Sequence, residues 1–487
     1  MPIVPFGRFR PDQSRFNPGV STVVTNARPT VDGWAPLQAL NVVSGVLPAA
    51  PRGAVSVKND AGTWLIFVGT ARNLYRVNST TYAFEEVSRS ADAYNLADSE
   101  YWAYEKWGNY LVATAVGSDF PQFYDLSTSG LFSNLTNATF EARFVKGVGD
   151  FLVFAGIDGD NRKIKWSGIN DFTSWTVGVQ GSDEQTLPSG GDIQGIVPQA
   201  NNALVFQQSK ISQMVFAPDS GVVFRFATLD PDRGVYAPRS LVNIGSGDFI
   251  YLAKNGFFRG VEAKPIGAQR VDKWFFDQAA DGAQFTSGVA DPYLKIVWFR
   301  FTDDGGTNFL VGYDYQLDEW LYSDSAATEL LEAATVGYTL EALDPFGNID
   351  TLAYSLDSRF WKGGLPGFAG FDATYKFGFF DGSNLEAVIE TEDKMLNYPR
   401  RAITGGADGQ GIQILVDTNS AQLAIAAKET QAGTLSFDSY RTQETGLPWF
   451  SSRVSGKWHR FKVKIPAGTT WTQALGLDVP FTDGGIR

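Results

Sequence analysis

Short aliphatic and aromatic runs recur along the chain, most of them entered through a Gly, Asn or Asp turn. They are Trp64-Leu65-Ile66-Phe67, Tyr110-Leu111-Val112, Phe151-Leu152-Val153-Phe154 and Leu204-Val205-Phe206, then Phe249-Ile250-Tyr251-Leu252, Ile296-Val297-Trp298-Phe299 and Leu352-Ala353-Tyr354. Successive runs begin 41 to 56 residues apart. A period in this range predicts one small sheet of about four strands per repeat, which cannot bury both faces alone. Radial stacking buries those faces and leaves few raw edges. The pattern therefore predicts an all-β protein containing a six- or seven-bladed β-propeller. Six repeats are clear and a weaker seventh lies around Tyr338 to Trp361.

The alternation in Asn73 to Val77 and Val222 to Phe226 predicts strands with one covered face. Val271 to Ala280 and Ala326 to Ala334 read instead as short helices inserted between strands. Residues 1–50 are crowded with prolines, at Pro18, Pro29, Pro36 and Pro48, which predicts an extended N-terminal arm. Within it, Val20 to Thr25 has the character of a strand added to a neighbour. Gly363-Gly364-Leu365-Pro366-Gly367 ends the periodic region, which sets the propeller at 51–365. A C-terminal β-rich, sandwich-like domain is expected over 366–487, with strands at Tyr375 to Phe380, Leu385 to Thr391, Ile412 to Asp417, Gln422 to Ala427 and Trp458 to Ile465.

Composition supports a β protein with a substantial core: 44% of the 487 residues are apolar, and 51 glycines and 22 prolines fall largely between the strand-like runs. The formal charge of −13 argues against a nucleic-acid binder that works by counterion release. It is compatible with solubility alone, or with a pore lining to which DNA does not stick. No cysteine is present, so disulfides, thiolate nucleophiles and Cys-based zinc sites are excluded. Met1 to Arg15 has no apolar core of a signal peptide, and no apolar run is long enough to span a membrane.

Candidate chemistry is sparse. The single histidine, His459, would have to serve any Ser-His-Asp triad, and its place in a strand-like run suits a structural hydrogen bond better. The 53 acidic residues allow a glycosidase pair, which needs two carboxylates about 5 to 10 Å apart. Sialidase-type propellers repeat an Asp-containing turn ending in Trp, and only Asn170 to Trp175 resembles one. Asp158-Gly159-Asp160-Asn161 and Asp303-Asp304-Gly305-Gly306 lack the twelfth-position Glu of an EF-hand and read as hairpin turns. Trp274-Phe275-Phe276 and Tyr101-Trp102 offer ring faces for sugars, although blade packing uses the same residues. No phosphate-binding loop, dinucleotide fingerprint or nucleophile elbow occurs. The expectation is no enzyme activity, with no catalytic, cofactor-binding or metal-ligating residues and no cofactor.

The two ends of the chain carry a resemblance. Ser455-Gly456-Lys457-Trp458-His459-Arg460-Phe461, Ile465-Pro466-Ala467-Gly468, Trp471, Ala474 and Gly476-Leu477-Asp478 resemble the close of short-tailed bacteriophage tail nozzle, or tail tubular, proteins and of related packaged-DNA stabilisation hubs. Asn26-Ala27-Arg28-Pro29, Gly33-Trp34-Ala35-Pro36 and Arg52-Gly53-Ala54 are similar to the start of that family. Lys457-Trp458 stands where the family more often has Arg-Tyr. The resemblance implies a virion structural protein of the tail, assembled in the host cytoplasm as a homo-oligomeric, hexameric ring. Its implied partners are the head-to-tail adaptor ring, tail fibres, spikes or needle, and genomic DNA passing without specific binding. The arm, with Phe6, Phe9, Phe16 and Trp34, is expected to anchor in a neighbouring subunit. The alternative is a propeller glycan hydrolase or lectin acting on cell-surface polysaccharide.

Overall fold

The computed structural model describes residues 3–485 apart from 129, 219–220, 246, 335–366, 399, 406–409 and 444–446. Seven four-stranded antiparallel sheets form its larger part. Their first strands are Ala54–Lys58, Ala103–Trp107, Ala142–Val148, Ile193–Gln199, Val242–Gly245, Ser287–Asp291 and Glu329–Ala333. These strands pack around a common axis, and the first strand of blade seven meets that of blade one, which closes the ring. The protein is a seven-bladed β-propeller.

Six of the predicted apolar runs lie in the second strands of six consecutive blades: Trp64–Gly69, Tyr110–Thr114, Phe151–Ile157, Asn202–Gln207, Asp248–Ala253 and Ile296–Thr302. A second strand is flanked by strands on both edges and covered on both faces, so it tolerates an unbroken apolar run. Phe151–Ile157 is buried at every position. Asp158 and Gly159, at φ 48° and 81°, close the hairpin that pairs Ile157 with Asp160. Two positive φ values in succession give the turn whose twist suits a hairpin.

Blade seven corrects the expected boundaries. Its strands are Glu329–Ala333, Gly367–Phe371, Lys376–Phe379 and, outermost, Asn41–Val46. The ring thus takes one strand from the expected arm and two from the expected C-terminal domain. Pairing strands from distant parts of the chain in one sheet locks the circle shut, where an all-local blade would leave only side-chain contacts. The helix expected at Ala326 to Ala334 is this blade's first strand. Glu, Leu and Ala favour a helix locally, but five residues paired with Gly367–Phe371, with Leu330, Leu331 and Ala333 buried, override that preference. The helix expected over Val271 to Ala280 is present as Asp272–Ala279. The weak repeat at Tyr338 to Trp361, the run Leu352 to Tyr354 and most of the glycine-rich boundary lie outside the described residues.

The C-terminal region holds two five-stranded sheets and a three-stranded one, and the arm belongs to both larger sheets. Ile3–Pro5 and Trp34–Pro36 line one edge of Ala474–Asp478, with Gln413–Val416 on its other edge. Val24–Thr25 pairs with Ala387–Glu390, which pairs with Trp458–Ile465 and through it with Gln422–Lys428. The strands expected beyond residue 366 are all present within a few residues of their expected ends.

Candidate functional site

The arm is the hinge pin between propeller and C-terminal sheets. Its backbone comes so close to Ala474–Asp478 that side chains would not fit: a Cβ on Gly33 would lie 2.2 Å from the Ala474 carbonyl oxygen, and one on Gly476 would lie 2.4 Å from that of Val4. Trp34 is fully buried at this junction and its indole N–H donates to the Gly7 carbonyl at 3.1 Å. The arm's aromatics are therefore used inside their own chain. Phe6, Phe9 and Trp34 are buried, and Phe16 packs edge-on against Trp458 at 5.0 Å. Phe6, Phe9 and Trp34, expected to anchor in a neighbouring subunit, have their apolar surface covered within this chain, and Phe16 is half-buried.

Asn26 joins three parts of the molecule. Held at φ 57°, a conformation Asn tolerates better than most residues, it donates through Nδ2 to Asp324 Oδ1 at 2.8 Å and to the Glu386 carbonyl at 2.9 Å. Its Oδ1 accepts from Ser323 Oγ at 2.8 Å and from the Asp324 N–H at 3.2 Å. Blade six, arm and C-terminal sheet thus meet on one buried amide. Nearby, the Asp12 carboxylate accepts from the backbone N–H groups of Lys273 at 2.9 Å and Trp274 at 2.7 Å, capping the helix Asp272–Ala279 from the arm. Asp272 lies behind it, and burial, reinforced by the charge of Asp12, pushes its carboxyl up to about 7. Arg10 reaches Glu319 on the outer strand of blade six at 3.2 Å.

Between arm and C-terminal sheet opens a cleft of about 720 Å³, lined by Arg15 and Phe16 from the arm and by Glu390, Asp393, Lys428 and Arg460 opposite. Asp393 is gripped by Arg460 Nε and by Lys428 Nζ, each at 2.6 Å. Glu390 pairs with Lys462 at 2.9 Å and more loosely with Arg460 at 3.6 Å. The Lys428 ammonium sits 4.8 Å above the Phe16 ring. Arg15 is exposed at the rim. The lining offers charge and a ring face. It contains no histidine or cysteine.

His459 lies beside this network, fully buried, with Nε2 3.3 Å from the Val454 carbonyl oxygen. Burial lowers its pKa and favours the neutral ring. Asp171 binds the N–H and hydroxyl of Thr173 within its own turn, while Trp175 packs on Phe140 and Phe154. Asp158 to Asn161 and Asp303 to Gly306 lie at hairpins, and among the described residues no group of His, Asp or Glu is arranged to hold a metal. Trp274 packs against Phe9 and Tyr322, and the Trp102 indole donates to the Thr70 carbonyl. The candidates considered from sequence are thus dispersed, and the cleft gathers residues that no motif marked. Of its lining, Arg460, inside the C-terminal run, and Phe16, among the arm's aromatics, carried a signal.

No protein-family model matches the chain, and no curated protein matches it. Solved structures similar to it include one titled as the mitotic checkpoint complex, 11% identical, covering 72% of this chain and 96% of that one at a TM-score of 0.38. Another is the computationally designed Ika8 protein, 11% identical, covering 70% and 99% at 0.36. A third is YCF48 bound to D1 peptide, 12% identical, covering 59% and 86% at 0.33. At such values the likeness carries no function, and the propeller rests on the strand pairings themselves. No helix among the described residues is long and apolar enough to cross a membrane.

Proposed function

We propose that this protein is a structural component of a short-tailed phage tail, forming the nozzle or hub ring through which DNA leaves. One observation carries the reading. The two terminal segments that resemble the nozzle family meet in one sheet: Trp34 pairs with Ala474, and Gly33 lies against the Ala474 carbonyl. Residues such as Gly33, Trp34, Gly476 and Leu477 then have a physical reason to occur together, as one junction that fixes the C-terminal sheets to blade six. A conduit needs rigid modules in fixed orientation, and this junction supplies them without any catalytic group.

In this reading the chain assembles as a homo-oligomeric, hexameric ring beneath the adaptor ring and docks fibres, spikes or needle. Because the arm is consumed within its own chain, ring contacts fall on other surfaces. The uncovered outer strand of blade four, Phe224–Asp230, is one such surface: its edge is free among the described residues, and Ala227, Thr228 and Leu229 are exposed. The test is imaging of assembled particles with the protein labelled. A multi-copy ring in the tail below the portal is expected. A single copy per particle, or turnover of host polysaccharide abolished by one Asp or Glu substitution, would overturn the reading.

A further inference from the structure

The axis of the propeller contains a charge imbalance that the structural role does not explain. Arg300, on the second strand of blade six, is 6% exposed. Its guanidinium donates to Ser287 Oγ at 3.2 Å, Thr302 Oγ1 at 3.3 Å, Asn308 Oδ1 at 3.1 Å and the Phe285 carbonyl at 3.3 Å. All four acceptors are neutral, and no carboxylate pairs with it among the described residues. Arg239, from the turn Pro238–Ser240 ahead of blade five, stacks 4.0 Å over the Tyr101 ring and forms an ion pair with Glu329. Glu329 opens the first strand of blade seven and is 1% exposed. Two guanidiniums therefore share one carboxylate: Arg300 and Glu329 are buried, and Arg239 is half-buried. A buried unpaired charge is costly, and an arginine does not escape by losing its proton.

Elements that border this pair hold buried polar atoms with no hydrogen-bond partner within the described chain. They are Arg239 Nη1, Tyr104 Oη on the first strand of blade two, Thr286 Oγ1 just ahead of blade six, and Glu329 Oε2. Blades two, five, six and seven contribute, and elements so far apart in sequence meet only around the axis. Electrostatic influence links the set: Glu329 acts on Tyr104, and Arg239, Glu329 and Tyr101 act on Arg300. Buried polar groups of this kind are normally met by ordered water or by a bound species.

We propose that this axial cluster binds one protonated oxyanion of the hydrogen-phosphate class. Its negative charge balances the second guanidinium. Its oxygens accept from Arg239 Nη1, Thr286 Oγ1 and Tyr104 Oη, and its own hydroxyl donates to Glu329 Oε2. The free carboxylate oxygen sets the selectivity, since a fully ionised anion such as sulfate has no proton to offer it and meets repulsion instead. The inference is independent of the tail assignment, because it rests on the interior of a single propeller.

The experiment is titration calorimetry on the full chain with inorganic phosphate and with sulfate, at neutral pH and matched ionic strength. Phosphate is expected to bind more tightly than sulfate by about tenfold or more, as for a site whose buried group is left unpaired by the analogue. Glu329→Gln supplies a donor in place of the acceptor and is expected to remove or reverse that preference. Thr286→Val leaves the charges in place and is expected to weaken both anions together. If Glu329→Gln fails to fold, the wild-type preference and the Thr286→Val loss decide the matter. Absence of binding, equal affinity for the two anions in the wild type, or an unchanged affinity in Thr286→Val would overturn the proposal.

Discussion

Blades one to four and blades five to seven are built from the same strand pattern but hold together in different ways. Across the first set, each interface between neighbouring blades has its own apolar cluster, such as Phe67, Tyr124 and Phe132 between blades one and two. Phe154 and Trp175 belong to a separate one between blades two and three. On the other side a single continuous core runs from Ile250 and Phe257 through Trp298 and Trp320 to Phe6, Trp34, Phe461 and Leu477. It joins blades five to seven, the arm and the C-terminal sheets. The repeat alone makes a modular ring. A segment that returns across it makes half of that ring one unit with the domain beside it.

The sharpest way to break this contrast is to cut a large side chain from each half. Trp34→Ala and Trp175→Ala are each expected to cost about 3–5 kcal/mol, since both remove a buried indole. Hydrogen exchange should separate them. Trp34→Ala should raise exchange together in the arm, blade six and the C-terminal sheets, whereas Trp175→Ala should raise it only in blades two and three. Equal spreading from both sites would show that the whole ring is one cooperative unit.

Two buried titratable groups, Asp272 and His459, lie in the joined half and tie its stability to pH. Asp272 has its pKa raised in the folded state to about 7, so its contribution is complete at low pH and is lost as pH rises through about 7. Asp272→Asn, which stays neutral, should gain stability over the wild type as pH rises from about 4 to about 8. Thermal melts across that range are the check. His459 acts with the opposite sign: its folded pKa is lowered, so its contribution is present above its ordinary value of 6.5 and is lost as pH falls below it. A smaller effect is expected from Asp12→Ala, which removes the cap supplied by the arm to the helix Asp272–Ala279. About 0.5–2 kcal/mol is the usual loss for such a cap, and denaturant melts would measure it. Proteolysis within the arm near Asp12 should become faster.

The least costly change sharpens the other half. Thr228→Lys on the outer strand of blade four is exposed and should alter stability by less than about 0.5 kcal/mol. A charge on that edge should still block strand-to-strand contact between copies. Loss of ring assembly with unchanged melting would place a subunit contact there. Unchanged assembly would remove this edge from the interface.

Much of the propeller could be read directly from the residues. A buried second strand needs a run like Phe151–Ile157, and a hairpin needs a residue such as Gly159 at positive φ; both are local requirements and leave local marks. The C-terminal strands were readable for the same reason. Less of the cleft was visible, because Glu390, Asp393 and Lys428 look like any solvated charge until pairing brings them to Arg460.

What the sequence by itself determined was the repeating blade, its turns and the strand character of both ends. Tertiary structure alone decided which strands pair across the chain. Asn41–Val46 completes blade seven, Glu329–Ala333 is a strand despite helix-favouring residues, and Ile3–Pro5 lies against Ala474–Asp478. It also decided that Arg300 is buried beside Glu329 rather than solvated. Side-chain period and turn chemistry are properties of neighbours along the chain, whereas a strand's partner and a charge's burial depend on residues hundreds of positions away, about which a local pattern carries no information.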